Sequence, residues 1–276
     1  MGGIKTSSNF YRRGISNSNG NFAFAVSSNY PIIQPQYLVI NPKQSLGFVT
    51  EGLLFNIQAN KPASYSGSGS VWYNIGTGGS TYDVTLLYSP TFILDGLKSY
   101  FEFDGITQCA EFIRPLQDDF SWGVWFNTTS TAGDPNSVAW YQTGNMQIIG
   151  GDSYSNLNDY GVAMGGGRIF FGTGNPDTTI NSTSLSLNDG NWHYLVATRK
   201  RSTGVISLYI DGILNSSINT TNTESLNSTG TLHLANESFG NYNYYTGKIS
   251  IVQGYTITLN SSEVVRNYNA QKIFYV

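Results

Sequence analysis

Apolar and polar residues alternate with a period of two most clearly in residues 189–212. Leu195 and Ala197 alternate with Val196 and Thr198, and Ile206, Leu208 and Ile210 alternate with Ser207 and Tyr209. That period places successive side chains on opposite faces of a strand, so each run predicts a strand with one face turned inward. Residues 199–204 lie between the runs as a polar turn ending on Gly204, which makes the pair an antiparallel hairpin. Asp211-Gly212 predicts a second tight turn into Ile213 and Leu214, because glycine admits the positive φ that such turns need. Trp192, at the head of the hairpin, is expected in the core.

Similar short runs predict a first strand at 52–57 and an aromatic core strand at 120–126. Further strands are predicted at 137–142, 147–149, 160–164, 168–171, 231–235, 246–253 and 273–276, separated by glycine-rich turns. Asn260 and Glu263 have the spacing of a capping box, which starts a short helix over 261–269 with Val264 and Tyr268 on one face. Together these form one all-β domain over residues 47–276. Residues 1–46 differ: two apolar runs, 22–26 and 37–40, sit among Asn, Ser and the prolines Pro31, Pro35 and Pro42. Such a segment buries too little surface to fold alone, but its runs can add to a sheet edge, its own or a neighbour's. It is expected to be an extended arm, an assembly or docking segment.

Composition narrows the partners. Charged residues are only 11% of the chain and the net charge is -3, so no basic stripe exists for phosphates and nucleic acid is excluded as a partner. No apolar run is long enough for a membrane span, and the first nine residues lack the apolar stretch of a signal peptide. The single cysteine, Cys109, rules out an internal disulfide and reads as a small core residue.

Several motifs point to a family. The run from Trp192-His193 to Leu208-Tyr209-Ile210-Asp211-Gly212 resembles the central hairpin of laminin-G-like, concanavalin-A-like domains. Ala59 to Tyr65 with Pro62, then Trp72-Tyr73, is similar to the opening of that domain in bacteriophage structural proteins. Pro90-Thr91-Phe92, Phe101-Glu102-Phe103-Asp104-Gly105 and the terminal Ser262-Glu263-Val264 to Asn267-Tyr268-Asn269-Ala270 continue the match in order. The resemblance implies a two-sheet antiparallel jelly-roll sandwich with one short C-terminal helix. It also implies a place in a virion, as capsid decoration or as a tail or fibre component.

Catalytic chemistry is poorly supplied. Glycosidases of this broad fold place acids as E-x-D-x-E or E-x-D-x-x-E on one strand, but Ile106 and Thr107 follow Glu102 and Asp104 where the third acid belongs. His193 and His233 are the only histidines, and the hairpin position of His193 favours packing or a backbone bond over a catalytic base. No catalytic residue and no cofactor is expected. Calcium, which needs only carboxylates and carbonyls, stays open without assignable ligands.

The resulting expectation is a non-catalytic adhesion protein of a bacteriophage virion. The arm would contact other virion subunits, the chain would be present in many copies or as a homo-oligomer, and host-surface polysaccharide is the candidate ligand. A glycan-binding module of a cell-surface protein and, behind it, a glycoside hydrolase are the alternatives. Sugar rings need flat apolar faces and amide or carboxylate partners, and two tyrosine-rich loops combine these. Their candidate residues are Tyr154, Asn156, Asp159 and Tyr160, with Tyr242, Tyr244 and Tyr245.

Overall fold

The computed structural model describes residues 14–16, 22–24, 47–153, 158–228, 230–237 and 243–276. The chain divides into two compact units, Met1–Leu46 and Gly47–Val276. In the first, Gly14–Ser16 and Phe22–Phe24 pair antiparallel, with Ile15 opposite Ala23, so the first apolar run of the arm finds a partner strand within its own unit. The run at 37–40 lies outside the described residues.

The second unit is a sandwich of two eight-stranded antiparallel sheets. One sheet runs, edge to edge, through Thr178–Asn181, Arg168–Thr173, Tyr160–Gly165, Met146–Gly150, Thr231–Leu234, Cys109–Ile113, Val84–Leu87 and Val71–Trp72. The other runs through Ile213–Asn219, Val205–Ile210, His193–Lys200, Phe120–Asn127, Thr246–Tyr255, Tyr100–Asp104 and Thr91–Ile93. Leu53–Gln58 pairs with the second half of Thr246–Tyr255, and Tyr100–Asp104 pairs with its first half.

Alternation decides which core each side chain joins. From Phe120–Asn127, the side chains of Phe120, Trp122, Val124 and Phe126 enter the main core between the sheets with Phe101, Phe112, Phe171 and Leu195. Trp125 points the other way, into a second apolar cluster with Tyr194, Val196, Tyr209 and Tyr255. The helix Ser261–Gln271 covers that outer face, contributing Val264 and Tyr268. Asn260 caps it as expected: its Oδ1 accepts from the backbone of Ser262 and Glu263, and Glu263 accepts from Asn260 N.

Four elements differ from the sequence reading. Residues 137–142 form turns rather than a strand. Their Trp140 is fully buried on the outer face of the other sheet, lying on the register partners Gly161 and Gly172. A Cβ on those glycines would stand 2.2 Å and 2.0 Å from the indole, so the two glycines make the seat and the loop follows its tryptophan. The chain ends in a 3-10 turn, Lys272–Phe274, instead of a strand, and Tyr275 packs into the outer cluster. Arg199 and Lys200 belong to a strand rather than the turn, and the buried Arg199 guanidinium donates to the carbonyls of Asp118, Asn222 and Glu224. Trp192 is only partly buried, because it precedes the strand and packs from outside. Cys109 is buried, and burial pushes its thiol up to about 11, as suits a small core residue.

Candidate functional site

The turn after the central hairpin builds one wall of a cleft. Asp211 and Gly212 both have positive φ, 52° and 83°, with Ile210 paired to Ile213, the geometry of a two-residue hairpin turn. Aspartate tolerates that backbone, and here it turns inward. Asp211 Oδ1 accepts from Tyr194 N at 2.8 Å, while Oδ2 lies 2.8 Å from His193 Nδ1. His193 Nε2 reaches Asp189 Oδ1 at 3.2 Å, and Asn191 donates to Asp189 through both its backbone N (2.8 Å) and its side-chain Nδ2 (3.0 Å). Burial alone would lower the His193 pKa, but bonding to Asp211 and Asp189 outweighs it and holds the imidazole above its usual 6.5. The two carboxylates thus favour the protonated form of the histidine. No serine, threonine or cysteine hydroxyl or thiol takes part in this set.

The cleft itself measures about 450 Å³ and runs from this turn to the C-terminal segment. Trp192, His193, Asp211, Lys248, Tyr268 and Tyr275 line it, with Asn127 and Asn191 supplying amides. The Trp192 ring meets Tyr100 edge-on at 5.6 Å and Tyr275 at 5.0 Å, which fixes its plane. Lys248 Nζ lies 5.0 Å from the centre of the Tyr100 ring. The cleft thus sets a partly exposed, braced indole beside amides and charges, an apolar face next to polar groups. The Trp-His pair and the Asp-Gly turn were legible as structure. Their meeting with Lys248 and Tyr268, from distant strands and the helix, was not.

The tyrosine-loop residues fare differently. Tyr154, Asn156 and Tyr242 lie outside the described residues. Tyr160 and Tyr245 are fully buried, which corrects their expected place on a sugar-stacking surface. The Tyr160 ring packs 4.6 Å from Phe120 and its hydroxyl donates to Leu116 O at 3.0 Å; the Tyr245 hydroxyl donates to Asn127 O at 3.0 Å. Tyr160 is turned inward by alternation in its strand, and Tyr245, just before Thr246–Tyr255, is held inward by its bond to Asn127 O. Tyr244, between core positions, is half-buried.

Asp159 is also buried, accepting from Ser153 N at 2.9 Å. Burial, with Asp152 nearby, raises its carboxyl to about 7. Glu237 is raised to about 8 by burial and its bond with Asp152, and it accepts from Asn243 Nδ2 at 2.6 Å. Arg114 donates to Gly151 O at 2.8 Å in the same region. These carboxyls serve to tie two loops together. Among the described residues, no group of three or more His, Cys, Asp or Glu side chains is arranged to hold a metal ion, so the structure assigns calcium no ligands.

Glu102 is exposed, and Asp104 Oδ1 is occupied by the backbone N–H groups of Ile106, Thr107 and Gln108. No helix among the described residues is long and apolar enough to cross a membrane.

A jelly-roll sandwich with such a cleft defines a lectin-like domain, and comparison with known proteins agrees. Residues 99–265, more than half of the chain, match the family described as the concanavalin A-like lectin/glucanases superfamily, and the chain belongs to it. No curated protein matches the chain. Among solved structures it is similar to the botulinum neurotoxin type G receptor binding domain, with 17% identity, TM-score 0.56, and coverage of 80% of this chain and 52% of that one. It is similar also to the binding domain of botulinum neurotoxin DC in two complexes. The one with SialylT has 14% identity and TM-score 0.62, and the one with rat synaptotagmin II has 13% identity and TM-score 0.58. Each of these covers 80% of this chain and 52% of the other, so the chain spans about half the length of the structures it matches. At these identities the likeness concerns the fold.

Proposed function

We propose that the chain is a non-catalytic carbohydrate-recognition module and that the cleft beside Trp192 is where it holds a glycan. One observation carries this reading: a braced, partly exposed indole lines a cleft whose Asp211 carboxylate is already taken up by His193 and the Tyr194 backbone. Membership of a superfamily described by lectins and glucanases supports it, as does a neighbouring fold whose structure was solved with SialylT. The absence of catalysis is supported by Asp104 being committed to its turn and by Thr107 standing where a third acid would be needed. The test is titration of a panel of host-surface polysaccharides against wild type, Trp192→Ala and Asp211→Asn, with folding checked by circular dichroism. Binding that Trp192→Ala abolishes is the expected result; binding unaffected by both substitutions removes the cleft as the site.

The setting we propose is a bacteriophage virion, in which the 1–46 unit docks on other subunits and the chain is present in several copies. The phage-type opening at residues 59–73 supports it. Cryo-electron microscopy of the native particle tests it, and a particle lacking this chain would sink the assignment.

A further inference from the structure

We infer that the Trp192 cleft selects a carboxylated sugar and seats its carboxylate on Lys248. The inference rests on the reading of the cleft as a sugar site and names the class of sugar. Groups of both signs line the cleft or stand next to its lining, but they are not equally available. Asp189 and Asp211 spend their oxygens on Asn191, Tyr194 N and the two nitrogens of His193. Both ring nitrogens of His193 are engaged in turn by the same two side chains.

Lys248 differs. It projects from the first half of Thr246–Tyr255, with Asn127 and Glu102 as its register partners on either side. Glu102 is exposed, and none of the ion pairs among the described residues involves Lys248. Its ammonium rests on the Tyr100 face, the same ring that braces Trp192 edge-on. Attraction to the ring quadrupole holds the ammonium there without neutralising it. A partly desolvated ammonium thus stands beside an aromatic platform, with three donor hydrogens and no acceptor.

A ligand that matches has an apolar ring face for Trp192 and an anionic oxygen for the ammonium that rests on Tyr100. Neutral hexoses fill only the first requirement. Hexuronates and the nine-carbon sialates fill both, since each carries a carboxylate on the pyranose ring. A carboxylate meeting an ammonium makes a charge-assisted hydrogen bond, stronger than a neutral one and weakened by salt.

The experiment uses the full chain and four probes. An α-1,4-galacturonate oligomer and its methyl ester form one arm, and an α-2,8-linked N-acetylneuraminate oligomer and its methyl ester form the other. Each is titrated by calorimetry against wild type, Lys248→Gln and Lys248→Arg. In at least one arm the free acid is expected to bind wild type about 5–20-fold more tightly than the ester. Lys248→Gln should bring acid and ester level, Lys248→Arg should keep the preference, and added salt should shrink it. The arm that shows the difference identifies the source of the carboxylate. Equal binding of acid and ester to wild type overturns the inference and leaves sugar binding by the cleft intact. A preference that survives Lys248→Gln overturns the assignment to this lysine. Binding of neither form in either arm, with neutral host polysaccharide also failing to bind, overturns the sugar site along with the inference.

Discussion

Trp125 Nε1 donates to Gln271 Oε1 at 2.7 Å, joining a middle strand of one sheet to the last residue of the C-terminal helix. Gln271 Nε2 donates onward to Gln253 Oε1 at 2.9 Å, and both glutamines are buried. The Trp125 ring stacks on Tyr275 at 4.3 Å and on Tyr194 at 5.2 Å. The helix is therefore latched onto the sheet by a polar clasp set inside an aromatic stack, and Tyr268 and Tyr275, which line the cleft, are placed by that latch. Gln271→Leu leaves the Trp125 donor and the Gln253 oxygen without partners in a dry site, at a cost of about 1–3 kcal/mol. An unchanged urea midpoint would show that the clasp contributes nothing.

Trp192 and Trp122 make a calibrating pair. Trp122 is fully enclosed between the sheets, and Trp122→Ala should cost about 3–5 kcal/mol. Trp192 gives up only part of its surface, so Trp192→Ala should cost roughly 1–2 kcal/mol while weakening glycan binding. Denaturant unfolding of both variants checks the order. Equal losses would put Trp192 back in the core.

Arg199 clips two segments to the end of the hairpin by donating to Asp118 O at 2.8 Å and Glu224 O at 2.5 Å. A lysine has no planar fork to divide between those carbonyls, and a methionine has no donor at all. Arg199→Met should destabilise the domain by about 2–4 kcal/mol through the carbonyls it strands. A midpoint within error of wild type would show that water replaces the guanidinium freely.

Stability should fall as pH rises from weakly acidic to weakly alkaline. Asp159 and Glu237 are raised to about 7 and about 8, whereas their unfolded values lie near 3.9 and 4.3. Above those unfolded values the folded state binds more protons than the unfolded one, so the stabilisation drains away as pH climbs through the folded pKa values. His193, raised by its two carboxylates, has the same sign: its contribution is complete below 6.5 and is lost as pH passes its folded value. Urea midpoints across this range should decline for wild type, and Glu237→Gln should flatten the slope. A Glu237→Gln profile parallel to wild type would mean that this carboxyl is ionised in the fold.

Much of the fold was legible in local pattern. The hairpin alternation, the aromatic strand at Phe120–Asn127 and the Asn260 cap were readable because each depends on neighbours a few residues away. The readings that failed depend on distant partners. Residues 137–142 alternate like a strand, but Trp140 is claimed by Gly161 and Gly172. Arg199 looks like turn chemistry until the carbonyls of residues 118, 222 and 224 surround it. Tyr160 and Tyr245 have the composition of a sugar platform, and only tertiary partners, Leu116 O and Asn127 O, show that they point inward.

By itself, the sequence determined a two-sheet sandwich, its central hairpin and its capped helix, because alternation, turn residues and capping act over short range. Only the tertiary structure decided where a ligand could sit. The cleft draws Trp192 and Asp211 from the two ends of the central hairpin, Lys248 from a distant strand and Tyr268 from the helix. A side chain's exposure and its unspent charge depend on what the rest of the fold brings against it.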